Sequence, residues 1–146
     1  MSDSPFYAPP PSLGKPQRIA LGIVGVLLVT VWSIAAWLSP NPQGFGTHQQ
    51  LGLPPCSIIE WLGKPCPACG MTTSWSLLIR GRIGSALYVN VGGTLLGLVA
   101  LAATPWTLAS AWRGKWWGYI PDEWIIALVL SAIMAITLID WWARRL

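Results

Sequence analysis

Charge is what this chain has least of. Only 10% of its 146 residues are Asp, Glu, Lys or Arg, while 53% are hydrophobic and the mean hydropathy is +0.54; an ordinary soluble domain carries about 25% charged residues. Too few polar side chains remain to cover a water-facing globule, which excludes a soluble domain. The net charge of +4 comes from nine scattered Lys and Arg against five acids. It lacks the clustered basic face of a nucleic-acid binder and suits membrane topology and lipid headgroups. Histidine is nearly absent, and Asp3, Asp122, Glu123 and Asp140 lie at ends or tails, so no paired carboxylates and no Ser-His-Asp set can share a cleft. Walker and dinucleotide-binding glycine loops are missing as well, because Gly92 and Gly93 fall in an apolar run. No repeat at 20 to 50 residues is visible, against a solenoid or inverted-repeat transporter.

What is abundant is uninterrupted apolar sequence. "IALGIVGVLLVTVWSIAAWL" fills the 20 positions between Arg18 and Ser39, about the length needed to cross a hydrocarbon core of about 30 Å. The run is too long for a signal-peptide core, and Trp37 and Pro40 stand where a cleavage site would be. Two further charge-poor runs place spans at about 86–111, with Pro105 inside, and 124–142. Seven of the 11 Trp (Trp37, Trp112, Trp116, Trp117, Trp124, Trp141, Trp142) fall near these span ends, where an amphipathic indole fits the headgroup layer. The expected fold class is therefore all-α integral membrane with three transmembrane helices at about 19–38, 86–111 and 124–142. Residues 1–17, rich in proline, are expected to be a disordered tail, and 18–146 a single membrane domain.

Packing signals sit on the second and third spans. Asn90, Gly93, Thr94 and Gly97 share one helical face, and Gly93 with Gly97 forms a G-x-x-x-G pair. Ala127, Ser131 and Ala135 could be the matching groove, within the chain or across a dimer. Asn90 reads as a polar site contact or as a hydrogen-bonded helix-end residue, the second being the commoner. Asp140 and Arg144 are spaced as a helical ion pair at the interface.

The loop over 40–82 carries the chemistry. Residues 51 to 79 hold only Glu60 and Lys64 as charges, so the loop is expected to lie on or dip into the bilayer surface as a hairpin of two short helices. Ser57 with Glu60 has capping-box spacing and Gly63 a stop. A second helix is expected from Pro67 to near Arg80, with Cys66 as N-cap and Gly81 as C-terminal cap. On that helix Cys66, Cys69, Thr73, Ser76 and Arg80 line one face and Trp75 centres the other. Both cysteines would then sit at the positive end of the helix dipole, which favours thiolate.

The stretch "CPACGMTTS", preceded by Cys56 and followed by "RGRIGSAL" and Asn90, resembles the signature of small bacterial membrane proteins grouped as domain of unknown function 2752, over roughly residues 50 to 100. The motif residues are Cys66, Pro67, Cys69, Gly70, Thr72 and Thr73. Where that family usually has Arg this chain has Thr73, with Arg80 on the same face as a substitute, and where Pro follows the Asn it has Val91. The resemblance implies membrane location and no established activity.

The cysteine pair itself permits a structural disulfide, a dithiol redox couple or part of a metal site. A thioredoxin-like strand-helix context is missing, and Gly70 occupies the position that a c-type haem site gives to His. Cys56, Cys66, Cys69 and His48 together form a Cys3His set, for which zinc is the fitting cofactor, although the spacing matches no standard finger. The function expected first is a structural or interaction module in which the CPxCG motif stabilises the hairpin. The alternative is a membrane thiol-disulfide oxidoreductase or metal-binding protein using Cys66 and Cys69. An enzyme is the less expected outcome. The expected setting is the bacterial inner membrane, multi-pass, with the lipid bilayer and another membrane protein or a second copy as partners. Arg18 before the first span, with no basic residue for 25 positions after it, favours an N-terminus inside and the cysteine loop outside.

Overall fold

Among the described residues, six α-helices follow in chain order: α1 Lys15–Trp37, α2 Ser57–Leu62, α3 Met71–Leu78, α4 Ile83–Val89, α5 Val91–Arg113 and α6 Glu123–Ala143, with a 3-10 turn at Thr47–Leu51. This computed structural model describes residues 12–118, 120 and 122–144. Among them there is no strand, only an isolated bridge between Ser12 and Lys115. The helices α1, α5 and α6 are the three long and apolar enough to cross a membrane, which marks a membrane protein.

The spans differ from the sequence-based bounds in two places. Lys15, Pro16 and Gln17, expected in the tail, form the first turn of α1. Proline is tolerated there because its missing N–H would be unpaired anyway, and the Gln17 side chain accepts the Gly14 amide at 3.0 Å. The rest of the expected tail, residues 1–11, lies outside the described residues. The second span begins at Val91 rather than near 86, because Asn90 is extended (φ −157°, ψ 106°) and separates the short α4 from α5.

Antiparallel α1 and α5 form the closest pair. Gly25 lets them meet: a Cβ there would come within 2.5 Å of Leu108 Cδ2, too close for any side chain. Both α3 and α4 lean on this pair: Trp32 of α1 stacks on Trp75 of α3 at 4.9 Å, and Ala35, Leu77, Leu78, Ala86 and Ala100 complete the buried cluster. Among the described helices, α6 packs against α5, with Gly92 directly against Thr137, and buries none of its residues. Its outward side chains are apolar, as lipid contact requires. Trp37, Trp112, Trp124 and Trp142 face outward at span ends.

Arginines close helix ends that belong to other segments. The last carbonyls of a helix lack intrahelical partners and carry partial negative charge. Arg18 donates to Ala111 O and Trp112 O at the end of α5. Arg80 donates to Ala36 O at 2.8 Å and Leu38 O at 2.9 Å at the end of α1, joined by Ser76 Oγ on Leu38 O. Arg144 pairs with Asp140 at 2.9 Å and also donates to Tyr88 O and Leu87 O at the end of α4.

Candidate functional site

The CPACG segment is a turn ahead of its helix, not the helix start. Gly70 interrupts the helix by adopting a left-handed backbone (φ +88°), so α3 begins at Met71 and Cys66 and Cys69 precede it. The turn closes through Cys69 N–H on Cys66 O at 3.0 Å and Met71 N–H on Ala68 O at 3.1 Å. A side chain at position 70 would also be 2.8 Å from Gly44 O and from Val89 Cγ1. Glycine is thus required by backbone angle and by close approach. The expected C-terminal cap does occur at the other end: Gly81 (φ +72°) and Arg82 bond back to Leu78 O and Leu77 O in a Schellman pattern.

The turn is held from below by Asn90, which is 5% exposed. Its Oδ1 accepts the Gly93 amide at 2.6 Å and so caps α5, while its Nδ2 donates to Pro67 O at 3.1 Å and Cys69 O at 3.0 Å. One side chain therefore starts the second span and fixes the cysteine turn onto it. A second tie comes from α6, where Trp141 Nε1 donates to Pro65 O at 2.8 Å.

Of the polar face expected on α3, Thr73 and Ser76 are buried in the helix, Arg80 follows its end with its head group on the α1 carbonyls, and Cys66 and Cys69 lie ahead of it. Thr73 Oγ1 meets Thr47 Oγ1 at 2.7 Å, and Ser76 and Arg80 serve the end of α1. Because α3 lies among protein on both sides, its polar groups are paired rather than solvated. The glycine face of α5 is used by this helix too. Gly93 lies against Ser74, and Gly97 lies against Leu78 and Trp75, whose Nε1 donates to Gly93 O at 2.8 Å. Ala127, Ser131 and Ala135 are not their partners; all three are exposed on α6.

Three sulfurs converge above this frame. The Sγ atoms of Cys56, Cys66 and Cys69 all lie within 4.8 Å of one another, each half-buried. Cys66 and Cys69 Sγ are 3.0 Å apart, and the Cys66 amide donates to Cys69 Sγ at 3.2 Å. Cys56, the residue whose role the sequence left most open, is brought in as N-cap of α2, one residue earlier than the capping-box reading places it. His48 is not in the cluster. It sits in the 3-10 turn with Nε2 3.2 Å from Pro54 O, on the wall of a cavity of about 260 Å³ that the three cysteines also line. A cleft of about 490 Å³ lies on the other side, bounded by Lys64, Cys66, Cys69, Tyr88, Trp141 and Arg144.

The electrostatics differ from a dipole-activated pair. Burial, reinforced by the neighbouring Cys66 thiol, pushes the Cys69 thiol up to about 12. The amide of Ile59, then the Cys69 thiol and the Ile58 amide, hold the Cys56 thiol below its usual range. The first turn of α2 supplies the donors that the sequence assigns to α3. Three adjacent thiols cannot all ionise unaided, because like charges raise each other's pKa; a bound cation removes that obstacle.

Residues 56–104 match the family described as a protein of unknown function (DUF2752). That block runs from Cys56 through the cysteine turn, α3, α4 and Asn90 into α5, so it coincides with the sulfur cluster and the structure that holds it. Helices α1 and α6 lie outside it. No curated protein and no solved structure matches the chain.

Proposed function

We propose that this is a multi-pass protein of the bacterial inner membrane whose Cys56, Cys66 and Cys69 bind a thiophilic metal ion, and that the bound ion locks the cysteine hairpin onto the spans at the membrane surface. The observation that carries the reading is the convergence of three sulfurs within 4.8 Å. A Zn–S bond of about 2.3 Å puts two sulfurs on a tetrahedron about 3.8 Å apart, so the trio closes on an ion with small side-chain shifts. Cys56 and the Cys66–Cys69 turn come from opposite sides of α2 in sequence, so a shared ion would cross-link the hairpin's two arms. His48 shares the neighbouring cavity but is turned to Pro54, leaving three protein donors in the set. Elemental analysis of the purified protein with mass-based thiol counting tests this. One zinc or copper per chain, lost in each of Cys56→Ser, Cys66→Ser and Cys69→Ser, is expected; three free thiols without metal would sink it.

A second reading rests on the 3.0 Å separation of Cys66 and Cys69 Sγ, about 1 Å longer than a disulfide bond. It makes the pair a dithiol couple. In that case Cys69→Ser traps a partner protein on Cys66, because the mixed disulfide loses its resolving thiol. A metal site gives no such adduct.

A further inference from the structure

The donor set is short by one for zinc, and it is open on two sides. Structural zinc takes four protein ligands, and iron–sulfur clusters take four cysteines. Among the described residues no His, Asp or Glu joins Cys56, Cys66 and Cys69. Sulfur-only sites favour soft ions, and a closed-shell ion such as Cu(I) is satisfied by three thiolates in a plane. The Cys66 amide faces Cys69 Sγ. In the adjoining cleft Arg144 is paired with Asp140, and Lys64 is the further cation on its wall. Neither side is sealed, since Cys66 and Cys69 border both the 260 Å³ cavity and the 490 Å³ cleft. A permanently held ion would be enclosed, whereas an ion reached from a cleft can lock the hairpin while bound and still be passed on by ligand exchange.

We infer that the centre is an exchangeable three-sulfur site for a soft monovalent cation of the Cu(I) class, reached from the cleft between Tyr88, Trp141 and Arg144. This rests on the metal reading above and narrows it. Binding is coordination only: the ion keeps its charge, and the protons leaving the three thiols go to water.

The test uses the full-length protein in detergent, reduced and anaerobic, with Cu(I) supplied as its acetonitrile complex and, separately, Zn²⁺. X-ray absorption should show one Cu(I) per chain bound to three sulfurs. A membrane-impermeant Cu(I) chelator should remove it within seconds, and His48→Ala should change the affinity less than twofold. Cys56→Ser should weaken binding at least about 100-fold, beyond what loss of an outer-shell partner costs. Tetrahedral Zn²⁺ with a nitrogen ligand, lost in His48→Ala and resistant to chelators, would overturn the exchangeable three-sulfur site while leaving the metal reading intact. Failure to bind either ion with the thiols reduced would remove both.

Discussion

At the residue scale, Asn90 joins the membrane helix to the chemistry, and its two ends can be separated by mutation. Asn90→Ala removes the cap on α5 and both clamps on the cysteine turn. It should lower stability by about 1–3 kcal/mol for each buried group left unpaired. Asn90→Asp keeps an oxygen for the Gly93 amide but sets a second acceptor against Pro67 O and Cys69 O. We expect Asp to retain much of the thermal stability in detergent yet lose metal retention as badly as Ala. Equal loss of stability in both variants would mean that the clamp has no separate role. A second expectation follows from the thiols in the metal-free protein. A lowered pKa means more thiolate at a given pH, and a raised one means less. Alkylation of Cys56 should therefore set in at lower pH than that of Cys69, which stays protonated until strongly alkaline solution. Peptide mapping by mass spectrometry across pH 6 to 10 reads the order directly, and Cys69 reacting first at neutral pH would contradict it.

At the element scale, what could be read in the sequence divides by the range of the interaction. The three spans, the Gly63 and Gly81 stops and the short α2 are set by apolar runs and glycine punctuation, which are local. Helix α3 starts at Met71 rather than at Pro67: Pro67 is a good first helical residue by local rules, while Gly70 adopts a left-handed turn in close approach to Gly44 and Val89, which are remote in sequence. The polar face read on α3 holds for Thr73, Ser76 and Arg80, which pair with Thr47 and the α1 carbonyls, whereas Cys66 and Cys69 fall outside the helix. Cross-helix capping by arginine carries no local signal beyond a basic residue near a span. The G-x-x-x-G pair likewise announces close approach without naming the neighbour, which is α3. Gly97→Leu should therefore expel Leu78 and Trp75, since even a Cβ would be 2.8 Å from Leu78 Cδ2. Overpacking of this kind costs about 1–3 kcal/mol. A fall in melting temperature together with loss of metal is expected, and oligomeric state should stay the same. A changed oligomer with stability and metal intact would return that face to a partner helix.

At the scale of the whole molecule, the three long apolar helices alternate in direction, which places the cysteine hairpin and the C-terminal end of α6 at one end of the bundle, tied by Trp141 to Pro65, with Lys15 and the start of α6 at the other. The basic residues do not choose between orientations by number. Lys15, Arg18, Arg113 and Lys115 face Lys64, Arg80, Arg82 and Arg144, and Arg145 lies outside the described residues. Their engagement does not break the tie either, because Arg18 is bound to α5 carbonyls much as Arg80 and Arg144 are bound to those of α1 and α4. Position along the chain does. The first span is flanked by Lys15 and Arg18 at its start and by no Lys or Arg from Ile19 to Gly63, and the first helix usually dominates insertion. The hairpin should therefore face outward, into a compartment where thiols 3.0 Å apart would oxidise unless an ion held them. Adding a cysteine at Leu53, an exposed loop position on that side, gives the measurement. A membrane-impermeant maleimide applied to intact cells should add one label relative to the unaltered chain. If that label is gained only after lysis, the hairpin faces the cytoplasm, and the thiols need no ion to remain reduced.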